Sequence, residues 1–147
     1  VVCVIQPLHR LDDVNFATER LGKERIAWAY RVGSLAKVCP VATSSDAPIS
    51  KASPWKIWQQ LVSGLAASDT PGEAMSAAAA LQAMSVDPLT GGTLSIKAGA
   101  VADFVLWSAQ PAVGKPPPTR LLMVVDGEII FADPGLPKPR IAPSLPR

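Results

Sequence analysis

Two residues of this chain have the right chemistry for work at a metal or a carbonyl. His9 is the sole histidine among 147 residues and stands in QPLHR, directly after the apolar run VVCVI. Asp46 stands in VATSSDAP, after a second apolar stretch and before a turn proline. A neutral imidazole nitrogen is a natural zinc donor. A carboxylate can take a proton from a water and hand it to a leaving group. Each residue also has an ordinary reading: a hydrogen-bonded histidine in a loop, and an aspartate that shapes a turn or caps a helix. Serine chemistry has no support, because Ser44 and Ser45 lack a Gly-x-Ser-x-Gly elbow. Arg10, Arg31 and Gln6 are candidates to touch substrate but sit in no motif, so the sequence assigns no substrate-binding residue.

The elements that must position His9 and Asp46 read as alternating strands and helices. VVCVI is a β-branched run bounded by proline, as expected of a strand buried on both faces. LDDVNFATERLGKERIAWAY has a ragged helical period from Leu11 through Val14, Leu21 and Ile26, which Gly22 breaks. A short strand is expected around Ile26–Tyr30, then a helical turn in RVGSLAKV, then a strand in PVATS. Such spacing follows βαβ logic. In SPWKIWQQLVSGL, Ser53 is placed to cap, Pro54 fits the first turn, and Trp55, Trp58, Leu61, Val62 and Leu65 recur at helical spacing as packing residues. DTPGEAMSAAAALQAMSV predicts another helix, with Asp69 or Thr70 as cap, Pro71 just inside and Glu73 facing the positive end of the dipole.

After residue 90 the pattern changes. A strand is expected over Asp103 to Trp107, and TRLLMVVDGEIIFAD predicts a hairpin turning at Asp126-Gly127. A β unit of this size cannot fold by itself and needs a partner surface. The tail PGLPKPRIAPSLPR is proline-rich, and an extended, disordered segment is expected there.

Composition narrows the function classes. The chain is 48% apolar and 18% charged, as a globular domain with a real core requires. A net charge of +2 without a basic, aromatic-laced cluster argues against nucleic acid. No stretch reaches the roughly 20 apolar residues of a bilayer span. Cys3 and Cys39 lack metal-type spacing and read as buried free thiols, since a disulfide framework normally uses more cysteines. The chain opens at Val1 inside a strand pattern, which suggests that residues upstream are missing.

Taken in order, QPLH, RLGKERIAWAYRVGSL, VATSSDAPIS, SPWKIWQQLV, EAMSAAAALQAMS, GTLSIKAGAVADFVLW and VVDGEIIFAD resemble the C-terminal part of an amidohydrolase-superfamily enzyme. The branch it resembles is the amidohydrolase-3 type that includes N-substituted formamide deformylases. The likeness runs over about residues 2 to 133, and Gly92 to Phe104 is its most diagnostic stretch. It implies an α/β fold, the C-terminal part of a (β/α)₈ metal-dependent hydrolase barrel plus part of a small β-sandwich. The implied layout is barrel over residues 1–90, sandwich over 91–133 and disordered tail over 134–147. VVCVIQPLH would be barrel strand six and VATSSDAP strand eight, with a weakly patterned strand seven between them.

By the same resemblance, His9 is a metal ligand from strand six. Asp46 lies at the metal from strand eight and is the catalytic carboxylate that passes the proton to the leaving nitrogen. The cofactor implied is a divalent metal, zinc by its donors, and the substrate a small-molecule amide or N-formyl compound whose C–N bond is hydrolysed by metal-activated water. Asp103 is expected to be structural, orienting a turn. The chain departs from the family pattern at Ser44, where glycine is usual, at KVCPV and at Ala98. The remaining metal ligands of such a site are not in this sequence, so the chain alone is expected to be inactive. It is also expected to be loosely packed and prone to self-association, a homo-oligomer being the protein partner left open. The implied location is cytoplasmic, without nucleic acid or membrane as partner. An alternative is a truncated, non-catalytic module for binding or oligomerisation; a different reaction such as deamination on the same scaffold is a third.

Overall fold

A computed structural model describes residues 1–13, 15–64 and 73–137, a mixed α/β chain in two units. The first unit comprises the described residues of Val1–Ser95 with Pro111–Lys115. The second comprises Ile96–Gln110 with the described residues of Pro116–Arg147. Val14, Leu65, the expected cap and proline at Asp69 to Pro71, and the tail from residue 138 lie outside the described residues. Among the described residues, no helix is long and apolar enough to cross a membrane.

The first unit begins with strand β1 (Cys3–Ile5), followed by helices α1 (His9–Asp13), α2 (Ala17–Ile26) and α3 (Val32–Leu35) and strand β2 (Val41–Thr43). β1 and β2 pair directly and in parallel, with Cys3 opposite Val41 and Ile5 opposite Thr43. The backbone bonds Cys3 N–H to Pro40 O (2.9 Å) and Ser44 N–H to Ile5 O (2.9 Å) extend the ladder at both ends. The strand expected around Ile26–Tyr30 is not formed. Gly22 breaks α2 with φ 76°, as its sequence position suggested. The backbone N–H groups of Trp28 and Ala29 are then used in tight turns to Arg25 and Ile26. Groups committed to local turns cannot serve a ladder, so β1 and β2 are neighbours with no strand between them. Nor is β1 buried on both faces here: Val4 is 45% exposed while Cys3 and Ile5 pack against the core.

That core is Leu8, Val32, Val41, Ile57, Trp58, Leu61, Ala80 and Ala83. Helix α4 (Pro54–Ser63) supplies its centre through Ile57, Trp58 and Leu61, the apolar stripe expected from the sequence. Pro54 fills the first turn as expected, but Ser53 makes no side-chain cap. Helix α5 (Ala77–Ala83) is capped by Ser76, whose Oγ accepts from Ala79 N–H at 3.2 Å. Ala80 and Ala83 face the core, where small side chains permit close approach, and Trp58 Nε1 donates to Ala77 O at 3.3 Å. Glu73 precedes this helix by four residues and does not sit at its start. It is buried, 3% exposed, against α3.

Cys3 and Cys39 are joined in a disulfide with Cα atoms 6.0 Å apart, which corrects the free-thiol reading. Spacing along the chain could not show this, because parallel pairing is what brings the two together: Cys39 adjoins Pro40, whose carbonyl binds Cys3 N–H.

In the second unit, strands β3 (Phe104–Trp107), β4 (Arg120–Val125) and β5 (Glu128–Ala132) form an antiparallel sheet in that order. The hairpin turns at Asp126 (φ 50°) and Gly127 (φ 79°), the left-handed pair that Asp-Gly accommodates. Asp103 has the turn-orienting place expected of it: its Oδ1 accepts from Asp126 N–H at 2.6 Å.

Candidate active site

His9 opens α1, four residues beyond the end of β1. The chain reaches it through a turn in which Pro7 and Leu8 are buried and His9 N–H donates to Gln6 O at 3.2 Å. Asp46 follows β2 by three residues. It holds a left-handed φ of 54°, which aspartate tolerates better than most residues, and its carbonyl accepts from Ile49 N–H at 2.8 Å. Ser44 has no positive φ, so serine in place of the family's glycine costs the backbone nothing there.

Since β1 and β2 run parallel, both residues emerge at the same end of the pair, the C-terminal one. His9 Nε2 faces Asp46 Oδ2 at 3.4 Å, with side chains 28% and 50% exposed. The approach has ion-pair distance but not the angles of a hydrogen bond, and Nε2 itself is buried with no hydrogen-bond partner. A buried imidazole nitrogen in that condition has unspent capacity to bind a proton donor or a cation.

His9 also lines a cavity of about 590 Å³. Val4, Ile5, Leu35 and Val38 form its apolar wall, and Asp13, Tyr30 and Arg31 add polar groups. Of the three candidates to touch substrate, Gln6 and Arg31 line this cavity. Arg31 is largely committed elsewhere: Nε donates to Glu73 (3.1 Å), Nη2 to Ser34 Oγ (3.0 Å), and the guanidinium stacks 5.2 Å from the Trp28 ring centre. Arg10 donates to Gln60 Oε1 at 3.5 Å. Burial pushes the Glu73 carboxyl pKa up, but bonds from the Ser34 hydroxyl (2.6 Å) and N–H (2.9 Å) and from Arg31 outweigh it. The net result lies below the ordinary glutamate value.

Tyr30 and Asp13 had no signal in the sequence. Tyr30 donates its phenol proton to Asp13 Oδ2, and burial, with that bond and the Asp13 charge, raises its pKa well above the ordinary tyrosine range. Its backbone is left-handed at φ 57°, a costly conformation for a bulky side chain that no residue pattern announces.

Among the described residues, no three of His, Cys, Asp and Glu gather where they could hold a metal ion. His9 and Asp46 are one nitrogen and one carboxylate side by side, short of the three protein ligands usual at a catalytic zinc.

A sequence model of the amidohydrolase family matches residues 2–131, and the chain belongs to that family. The crystal structure of an uncharacterized metal-dependent hydrolase from Pyrococcus furiosus is similar at 32% identity and a TM-score of 0.50, over 56% of this chain. The likeness spans 17% of that hydrolase's length. No curated protein matches the chain.

Proposed function

We propose that this member of the amidohydrolase family carries the closing strands of a metal-dependent hydrolase barrel, with Asp46 as its proton-transferring carboxylate. In the complete protein it would act on the C–N bond of an amide or N-formyl compound, and the three-stranded unit would be part of a β-sandwich. The observation that carries this reading is the pairing of a buried, unpartnered imidazole nitrogen with a carboxylate oxygen 3.4 Å away, at the C-terminal end of two parallel strands. In (β/α)₈ barrels that end is where active sites are built. A divalent cation, zinc by the nitrogen and oxygen donors on offer, supplies an acidified water and a polarised carbonyl when bound. Asp46, half exposed and with no hydrogen bond to its carboxylate among the described residues, would be placed to accept a proton and return it to a leaving nitrogen.

For His9 two roles are open, and the strand pairing favours the second. As a ligand, Nε2 binds the metal directly. Consecutive strands of a closed barrel are neighbours, so the direct β1–β2 pairing supports β1 as the strand immediately before β2, where the strand-six reading had set a further strand between them. On the second role, His9 steadies the Asp46 carboxylate that it faces. The chain contributes two metal donors on the first role and Asp46 alone on the second; with either, the other ligands must come from elsewhere, and the 147 residues alone would not hydrolyse.

The test is metal content and hydrolysis of amide and N-formyl compounds by the complete protein, beside His9→Ala. Loss of metal together with turnover assigns His9 as a ligand; loss of turnover with metal retained assigns it to Asp46. A complete protein that binds no metal and turns over neither substrate class would favour a non-catalytic binding module.

A further inference from the structure

The Cys3–Cys39 disulfide has no part in the reaction as proposed, yet it joins two walls of the cavity that His9 lines. One wall is β1, through Val4 and Ile5; the other is the end of α3 and the turn after it, through Leu35 and Val38. Cys3 opens β1 and adjoins Val4, while Cys39 closes the turn and adjoins Val38. The bond therefore straps the turn to the strand at that edge of the cavity.

The contacts around the strap divide into those that need it and those that do not. Cys3 N–H donates to Pro40 O at 2.9 Å, Val41 is buried in the core, and Ser34 N–H is held by the Glu73 carboxylate at 2.9 Å. These fix the strand pair and α3 without help from the sulfurs. Between them, residues 36–39 form a turn on their own backbone, with Lys37 N–H donating to Ser34 O and the Val38 and Cys39 N–H groups to Leu35 O. Val38 is 80% exposed, so the packing that holds this turn is slight.

The bond is also suited to opening. Neither cysteine is fully buried, and access is what an attacking thiolate needs. Cys39 Sγ lies 3.2 Å from Leu35 O, an acceptor for its S–H once the sulfur is reduced. Both redox states thus have their polar groups satisfied at this edge.

We infer that Cys3–Cys39 is a redox-modification site: a dithiol opens it in the folded protein and so loosens the cavity wall formed by Leu35 and Val38, while the strand pair and the core stay in place. In that exchange the S–S bond breaks and both sulfurs become thiols. The dithiol supplies the two electrons and two protons and closes into a disulfide of its own. The inference does not rest on the hydrolase reading, since it concerns the wall of the cavity and not the chemistry beside it.

The experiment reduces the complete, folded protein with dithiothreitol, removes the reductant without air, counts thiols by alkylation and mass, and follows native-state cleavage by trypsin. Lys37 lies in the turn and Lys56 in α4, so the two cuts report on the wall and on the core. Cleavage after Lys37 is expected to rise about ten- to hundredfold on reduction and to run well ahead of cleavage after Lys56. Reoxidation should restore the slow rate. The double variant Cys3→Ala, Cys39→Ser, whose serine hydroxyl keeps a donor for Leu35 O, should be cut fast at Lys37 without dithiothreitol and should not respond to it. Free thiols at Cys3 and Cys39 before treatment would overturn the inference. So would a bond that resists dithiothreitol until the protein unfolds, an unchanged rate at Lys37, or a response to dithiothreitol that persists in the variant. Equal rates at Lys37 and Lys56 after reduction would overturn it as well, because the unit would then open as a whole and the bond would be a structural crosslink.

Discussion

The two units of this chain treat their apolar residues differently. In the first, the stripe of α4 is covered by β2 and α5, and Leu61 at its centre is 0% exposed. In the second, a three-stranded sheet has Val124 buried but leaves Leu106, Val125, Ile129 and Ile130 exposed, Ile130 by 57%. A helix pressed onto a strand buries an apolar face within a short length of chain, whereas a bare sheet has two faces and no cover of its own. The chemistry-bearing residues follow the same division. His9, Asp46, Tyr30 and Asp13 lie in the unit with a packed core, where fixed surroundings can hold side chains in place.

This contrast can be broken most forcefully at Leu61. Leu61→Ala should destabilise the chain by about 2–5 kcal/mol in denaturant unfolding, while Ile130→Ala should stay within about 0.5 kcal/mol. Equal losses would mean that the sheet's apolar face is covered after all. Next in size is the Cys3–Cys39 disulfide, which closes a loop of 36 positions between β1 and the start of β2. Its reduction should lower stability by about 2–4 kcal/mol on the loop-entropy account. An unchanged midpoint after reduction, with free thiols verified by titration, would show that strand pairing alone holds that end.

Glu73 tests whether the first unit depends on buried polar contacts as well as apolar ones. Glu73→Gln leaves Arg31 without its charged partner and should cost about 1–3 kcal/mol near neutral pH. Its folded pKa lies below the ordinary glutamate value, so its contribution is fully present above that value. The contribution fades as pH falls through the depressed folded pKa. Stability measured from pH 6 down to about 2 should therefore decline in wild type and decline less in Glu73→Gln. Parallel curves would rule out this carboxylate as the source. The smallest effect belongs to the second unit: Asp103→Ala removes the bond to Asp126 N–H and should cost about 1 kcal/mol, read from amide exchange in the hairpin.

What the sequence made legible was whatever one local pattern determines. VVCVI and PVATS read as strands from β-branched runs, α4 from its apolar period and Pro54, the break in α2 from Gly22, and the hairpin from Asp126-Gly127. Features decided by distant parts of the chain stayed hidden. No spacing rule links Cys3 to Cys39, and none says that β1 would reach β2 without an intervening strand. Glu73 looked like a residue for the start of a helix, but Ser34 and Arg31, about forty positions away, offer three donors to its carboxylate. At the site, His9 and Asp46 were visible as residue types at strand ends, but their 3.4 Å approach follows from the parallel register. Tyr30 was invisible because nothing in its neighbours signals a left-handed backbone.

Asp46 is the residue on which the proposed hydrolysis depends, and the most direct measurement is the turnover of Asp46→Asn in the complete protein on an amide substrate, with metal content determined alongside. The expected result is a metal-bound wild type that hydrolyses and a variant slower by about 10²–10⁴-fold, the usual contribution of a positioned acid–base group. A variant within twofold of an active wild type would contradict the account, and Asp46 would then be an ordinary turn residue beside a histidine.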